Sequence, residues 1–222
     1  MAETLADQFE KIVKKYPTKD FKNQWTKGMA DYKTETGKKR PGESDFLGLG
    51  RKSTGISDSL EAINDLQVAF VKNIKKKSQF INPDDGAIIV ADKYLSQFDA
   101  AIKSCSTKID AYLAVSRADF DKREKKLAIE THAASNLTKE KAAAKDQQKK
   151  LAAIEKEFVQ KQKAHKLLEK THLDLLERPL KATEKRLADF YEELAEVVIE
   201  QKNRSYKRNQ KRRGSVSSSD SD

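Results

Sequence analysis

Apolar residues recur at helical spacing along almost the whole chain, and nowhere do they alternate as a strand would require. Leu5, Phe9, Ile12 and Tyr16 step by four, three and four before Pro17 interrupts, and Phe21, Trp25, Met29 and Tyr32 continue the same rhythm. Both runs predict short amphipathic helices within an N-terminal segment, residues 1–35. Residues 36–55 hold five of the eight glycines and one proline, which predicts a linker. Within it Gly48-Leu-Gly-Arg-Lys-Ser-Thr54 superficially resembles a phosphate-binding loop. Arg51 breaks the required Gly-Lys pair and no strand pattern precedes it, so the flexible link is the reading kept.

A body over residues 56–209 follows. Its first helix spans about 57–80, with Ile56, Leu60, Ile63, Leu66 or Gln67, Phe70 and Ile74 on one stripe. Asn82-Pro-Asp-Asp-Gly86 marks a boundary, with Asn82 suited to the N-cap, Pro83 to the first turn and two acids to the positive helix end. The second helix spans about 84–134, with Phe98, Ile102, Cys105, Ile109 and Tyr112 on its stripe, continued by Leu113, Phe120 and Leu127. Bulky residues then lapse at Ala134-Ser-Asn-Leu-Thr138. Asn136 can take a left-handed turn and Thr138 can cap, so the chain is expected to reverse there. The third helix spans about 138–209, with a seam of Leu151, Ile154, Phe158, His165, Leu168, His172, Leu176, Leu180, Thr183, Leu187, Phe190, Leu194 and Val198. Pro179 removes one of its backbone hydrogen bonds and is expected to bend it. The fold class expected is therefore all-α: an elongated, antiparallel three-helix coiled-coil bundle. A rod so slender leaves apolar seams uncovered, which predicts a homodimer.

Charge changes the picture from a scaffold to a binding surface. The 222 residues carry 45 Lys and Arg against 35 acids, a net +10, and that excess calls for an anionic partner. The sign is segregated: residues 139–170 hold ten Lys and five acids, whereas 174–200 hold eight acids and four bases. Lys149, Lys156, Lys163 and Lys170 recur every seven residues, opposite the seam. A reversal near Asn136 would bring Lys122, Arg123, Lys125 and Lys126 opposite Lys139, Lys141, Lys145, Lys149 and Lys150, a cluster suited to phosphates. Residues 210–222 are expected to be a disordered tail, basic and then acidic. The block Lys202, Arg204, Lys207, Arg208, Lys211, Arg212 and Arg213 leads into Ser215, in a basophilic kinase pattern, and Ser217 and Ser219 each have Asp three positions on. Phosphates there would place negative charge beside the basic block and weaken an electrostatic attachment.

Catalytic chemistry finds no support. Glu169 and His172 resemble half of a di-iron motif, but the second pair and further carboxylates are missing, so no metal or other cofactor and no small-molecule substrate is expected. Cys105, the only cysteine, sits within a core stripe. With no disulfide possible within the chain and no signal layout at the N-terminus, a cytoplasmic location is expected, and apolar runs too short to span a bilayer make any membrane contact peripheral.

The layout of amphipathic N-terminal segment, one shorter helix, two long helices meeting at a basic tip and a proline-bearing third helix resembles the BAR-domain superfamily. The resemblance covers roughly residues 1–210 and is one of architecture. It implies a crescent-shaped antiparallel homodimer that binds anionic membranes and senses or generates curvature, as in endocytosis and vesicle trafficking. Leu5–Tyr16 would serve either as a bilayer wedge or as a helix packed on the dimer body. Two rivals stand beside it: a coiled-coil scaffold with one unbroken helix over 84–209, and a nucleic-acid binder, disfavoured because no aromatics interleave the basic residues.

Overall fold

The computed structural model describes residues 4–36, 55–77, 83–140 and 145–216, and the side chains at 29, 32, 33, 35, 36, 131, 134–151 and from 209 onward lie outside that description. Five helices occur in order, and no strand occurs among the described residues: α1 (Leu5–Lys15), α2 (Thr18–Thr36), α3 (Ile56–Lys77), α4 (Pro83–Glu140) and α5 (Lys145–Val216). The described chain forms two compact units. The first comprises Met1–Gln24, Gly55–Thr107 and Lys181–Asp222, and the second Trp25–Thr54 and Lys108–Leu180.

In the first unit, α1 is set by a capping box. The Thr4 hydroxyl accepts from the Asp7 amide at 3.2 Å, and the Thr4 amide donates to the Asp7 carboxylate at 3.2 Å. Leu5, Phe9 and Ile12 on its apolar face are buried, with the Phe9 ring edge-on to Phe70 at 5.8 Å. An aromatic column continues through Phe70–Phe98 at 5.6 Å and Phe98–Phe190 at 5.1 Å, both near-perpendicular, so rings from α1, α3, α4 and α5 interlock in one core. The apolar face that a bilayer wedge would use is thus spent inside the protein.

Polar residues are buried in this unit too, Gln67 among them. Gln67, not Leu66, takes the buried place on the α3 stripe. It accepts from the Thr18 hydroxyl at 2.5 Å and donates to the Tyr16 carbonyl at 3.0 Å, satisfying the backbone where Pro17 separates α1 from α2. α4 starts at Pro83 as the boundary motif predicts, and α3 approaches it so closely that a Cβ on Gly86 would lie 2.9 Å from the Lys77 carbonyl oxygen.

In the second unit, α4 and α5 run antiparallel. Arg117 pairs with Glu177 at 2.5 Å and Arg123 with Glu169 at 3.4 Å, and Glu124 meets Lys166: as one partner advances the other retreats. That pairing is incompatible with a single straight helix over 84–209. It also moves the reversal. Asn136 and Thr138 lie inside α4, which continues to Glu140, and α5 opens at Lys145 rather than Thr138. Asn, Ser and Thr cost a helix only about 0.5–0.7 kcal/mol each, little enough for α4 to continue through Ala134–Thr138. The lapse of bulky residues reflects a thinning seam, not a turn. The expected irregular tail from 210 likewise gives way to helix as far as Val216. α5 runs through Pro179, and Gly28 of α2 leaves room beside it: a Cβ there would sit 3.0 Å from the Pro179 Cγ.

Two outcomes follow for the first unit. Phe9→Ala should cost about 4 kcal/mol in chemical denaturation, whereas Val68→Ala on the exposed side of α3 should stay within about 0.5 kcal/mol. Hydrogen bonds from Lys75 and then Lys14 hold the Glu10 carboxyl below its ordinary value, and Lys15 does the same for Glu193. A lowered folded-state value gives stability that is present above the ordinary glutamate 4.5 and lost as pH falls through the lowered one. Amides of α1 should therefore exchange faster on acidification below that range, before the rest of the first unit opens.

Candidate interaction surface of the α4–α5 hairpin

The α5 seam divides in two. His172, Leu176, Leu180, Thr183, Leu187, Phe190, Leu194 and Val198 are buried as its heptad spacing requires. Toward the N-terminus the same stripe surfaces: Ile154, Phe158, His165 and Leu168 are all exposed, contrary to the packing expected of them, and Leu151 lies outside the described side chains. The composition of α4 accounts for this. In sequence, the helical positions that follow Leu127 on its stripe are Thr131, Ala134 and Thr138, none of them a bulky apolar residue. Where the meshing fails, a cavity of about 370 Å³ opens between Phe120, Leu127 and Ala128 of α4 and Gln162, His165 and Lys166 of α5.

The charges along this part of the hairpin fall into two classes. Arg123 is spent within the fold: it donates to Asp119 at 2.7 Å and reaches Glu169, which is buried. Lys166 is held by Glu124, Lys126 by Glu130 at 3.8 Å and Lys161 by Glu157 at 2.7 Å. The Glu157 carboxyl is pulled below its ordinary value by that lysine. Lys122 and Lys125 on α4, and Lys156, Lys163 and Lys170 on α5, are exposed and make no ion pair among the described residues. Of the cluster expected from the sequence, then, Arg123 serves as an internal tie rather than an open cation. Lys139, Lys145, Lys149 and Lys150 have a described backbone only, and Lys141 lies outside the described residues.

In the first unit, Lys202 and Arg204 are neutralised by Asp92 and Glu200, both at 2.5 Å, leaving Lys207 and Arg208 as the exposed cations of the tail block with no described ion pair. The side chains of Lys211, Arg212, Arg213 and Ser215, and all of Ser217 and Ser219, lie outside the described residues. Among the described residues no group of His, Cys, Asp or Glu could hold a metal ion, and no helix is long and apolar enough to cross a membrane.

Sequence reasoning found the free lysines of α5 because they share one heptad position. It missed the cancellation of Arg123, which depends on Glu169 arriving from forty-six residues away and so on the hairpin register. Arg123→Ala should leave a buried carboxylate short of its cation and cost about 2 kcal/mol by denaturant titration, the figure discounted because Arg123 is partly exposed; Lys122→Ala should change stability by less than about 0.5 kcal/mol.

Compared with known proteins, the chain matches no family model, and no curated protein or solved structure is significantly similar to it.

Proposed function

We propose that this protein is a peripheral binder of anionic membrane surfaces, acting as a BAR-like homodimer in membrane trafficking. The observation that carries the reading is that five lysines of the second unit, Lys122, Lys125, Lys156, Lys163 and Lys170, are exposed and make no ion pair among the described residues. Like charges repeated along one helix face, as Lys156, Lys163 and Lys170 are, repel one another, and that cost is relieved when phosphates approach. Each cation near an anionic leaflet contributes about 1 kcal/mol, so a dimer presenting two such sets would adsorb firmly without any insertion of chain through the bilayer.

The resemblance in architecture adds the expectation of curvature dependence, with two long antiparallel helices and a proline within the second of them. Self-association is part of the proposal for a specific reason. The α5 stripe at Ile154, Phe158 and Leu168 is apolar and exposed, and in water such a surface gains by being covered. Nucleic acid is the weaker reading, since phosphates alone would attract it and no Phe, Tyr or Trp shares the α5 face of Lys156, Lys163 and Lys170.

Vesicles of phosphatidylcholine with phosphatidylserine should carry the protein down in sedimentation, whereas pure phosphatidylcholine vesicles should not. Binding should weaken steadily with salt, as the screening length shrinks from about 10 Å at 0.1 M to about 3 Å at 1 M. Small-diameter vesicles should compete for the protein over large ones of equal lipid content. Sedimentation equilibrium should give twice the 25.2 kDa chain mass. Binding indifferent to lipid charge, or a preference for nucleic acid at physiological salt, would contradict the reading.

A further inference from the structure

The free lysines of α5 do not stand alone on their face. On a helix turning about 100° per residue, Ala152, Lys156, Val159, Lys163, Leu167 and Lys170 fall within less than a quarter turn of one another, on the side away from the seam. All six are exposed, Val159 by 45% and Leu167 by 68%. The stripe alternates small or apolar residues with cations, and none of its six positions is acidic. Polar residues would be the ordinary occupants of a solvated outer helix face, so a half-exposed valine and a largely exposed leucine between uncancelled lysines ask for a partner that is apolar and anionic at once.

We infer that this stripe, Ala152 to Lys170 of α5, is the surface that lies against the bilayer, with Val159 and Leu167 entering the headgroup layer and Lys156, Lys163 and Lys170 on the lipid phosphates. The inference rests on the membrane reading above and narrows it to one face. A lipid interface offers both chemistries at the right depth: apolar side chains sit at the boundary of the acyl region, and the lysine stems extend beside them to place the ammonium groups among phosphates.

The opposite side of the same helix does not serve as well. There Ile154, Phe158 and Leu168 border a region whose charges are already matched, Lys166 by Glu124 and Arg123 by Glu169, so it lacks the uncancelled cations that an anionic surface would select. Nor do the α4 lysines share the stripe. Lys125 lies roughly half a turn round α4 from Phe120 and Leu127, which line the side facing α5. Lys122 and Lys125 therefore leave the hairpin on the side away from α5, while the stripe occupies the outer face of α5, where Lys163 also reaches the edge of the cavity. One flat surface engages one of them closely.

Three variants of equal backbone separate the possibilities in sedimentation with phosphatidylserine vesicles. Lys156→Glu with Lys170→Glu should weaken binding by about thirty-fold or more, since two favourable contacts of about 1 kcal/mol each are removed. Lys122→Glu with Lys125→Glu changes net charge by the same amount and should weaken it by less than about three-fold, through long-range attraction alone. Lys163 is left unchanged because it also borders the cavity. Val159→Ser with Leu167→Ser keeps every charge and should weaken binding about ten-fold without altering its salt dependence. Circular dichroism confirms that each variant retains its helix.

A depth measurement keeps the test independent of those substitutions. Leu167→Trp adds a fluorophore to a chain whose one native tryptophan, Trp25, is buried against Tyr112 at 5.4 Å. Its emission should shift to the blue and be quenched by brominated acyl chains on vesicle addition. Equal losses from the α4 and α5 charge variants, or unquenched Trp at position 167 on protein that sediments with the vesicles, would overturn the assignment of the face while leaving membrane binding intact. Wild-type protein that fails to sediment would instead overturn the membrane reading itself.

Discussion

The packing of α4 against α5 is the constraint on which the rest depends. Within the first unit it is made by large rings and branched chains: Phe98 against Phe190, with Leu187, Leu194 and Val198 buried at 0–1% exposure. Such residues contribute about 1.5–3 kcal/mol each on burial, and they fix the antiparallel register more tightly than any ion pair could. The second unit pairs α4 and α5 with a poorer supply of apolar residues. Its pairs Arg117–Glu177, Arg123–Glu169 and Glu124–Lys166 keep alignment where the seam thins.

Thinning has a consequence for charge. A helix pair with a full apolar seam can carry acids and bases in balance on its outer faces and remain inert in solution. Here Glu169 and Glu124 of the second unit are taken up by Arg123 and Lys166, while Lys122, Lys125, Lys156, Lys163 and Lys170 make no ion pair among the described residues. In the first unit Lys14, Lys15, Lys22, Lys75, Lys181 and Lys202 are each matched by an acid, and the apolar face of α1 is buried.

Helix positions were legible in the sequence wherever Gly, Pro or a capping residue stood at an end, as at Pro17 and Pro83. Stripe membership was legible too, for Phe70, Phe98, Ile109, Leu187 and Phe190, because period and burial coincide. Legibility failed where a long-range partner decides. Asn136 looked like a turn because its neighbours are small, yet small residues without a breaker leave the helix intact. Gln67 looked like an intruder until the Tyr16 carbonyl and Thr18 hydroxyl supplied its partners. The slender three-helix body anticipated from the long repeats gains α1 as a cover, so the uncovered seam is confined to the N-terminal part of α5. Val159 and Leu167 were visible as letters, but only their exposure shows that nothing in the fold uses them.

Hydrogen exchange of the unmodified protein, followed by mass spectrometry with and without phosphatidylserine vesicles, tests the central claim most directly. Immobilisation on lipid raises protection of helix backbone at the contact, because the local opening that exchange requires must then break the contact as well. The account predicts that peptides covering residues 152–170 gain protection while α3, already packed within the first unit, is unchanged. Vesicle-bound protein whose 152–170 peptides exchange as fast as in solution would contradict it.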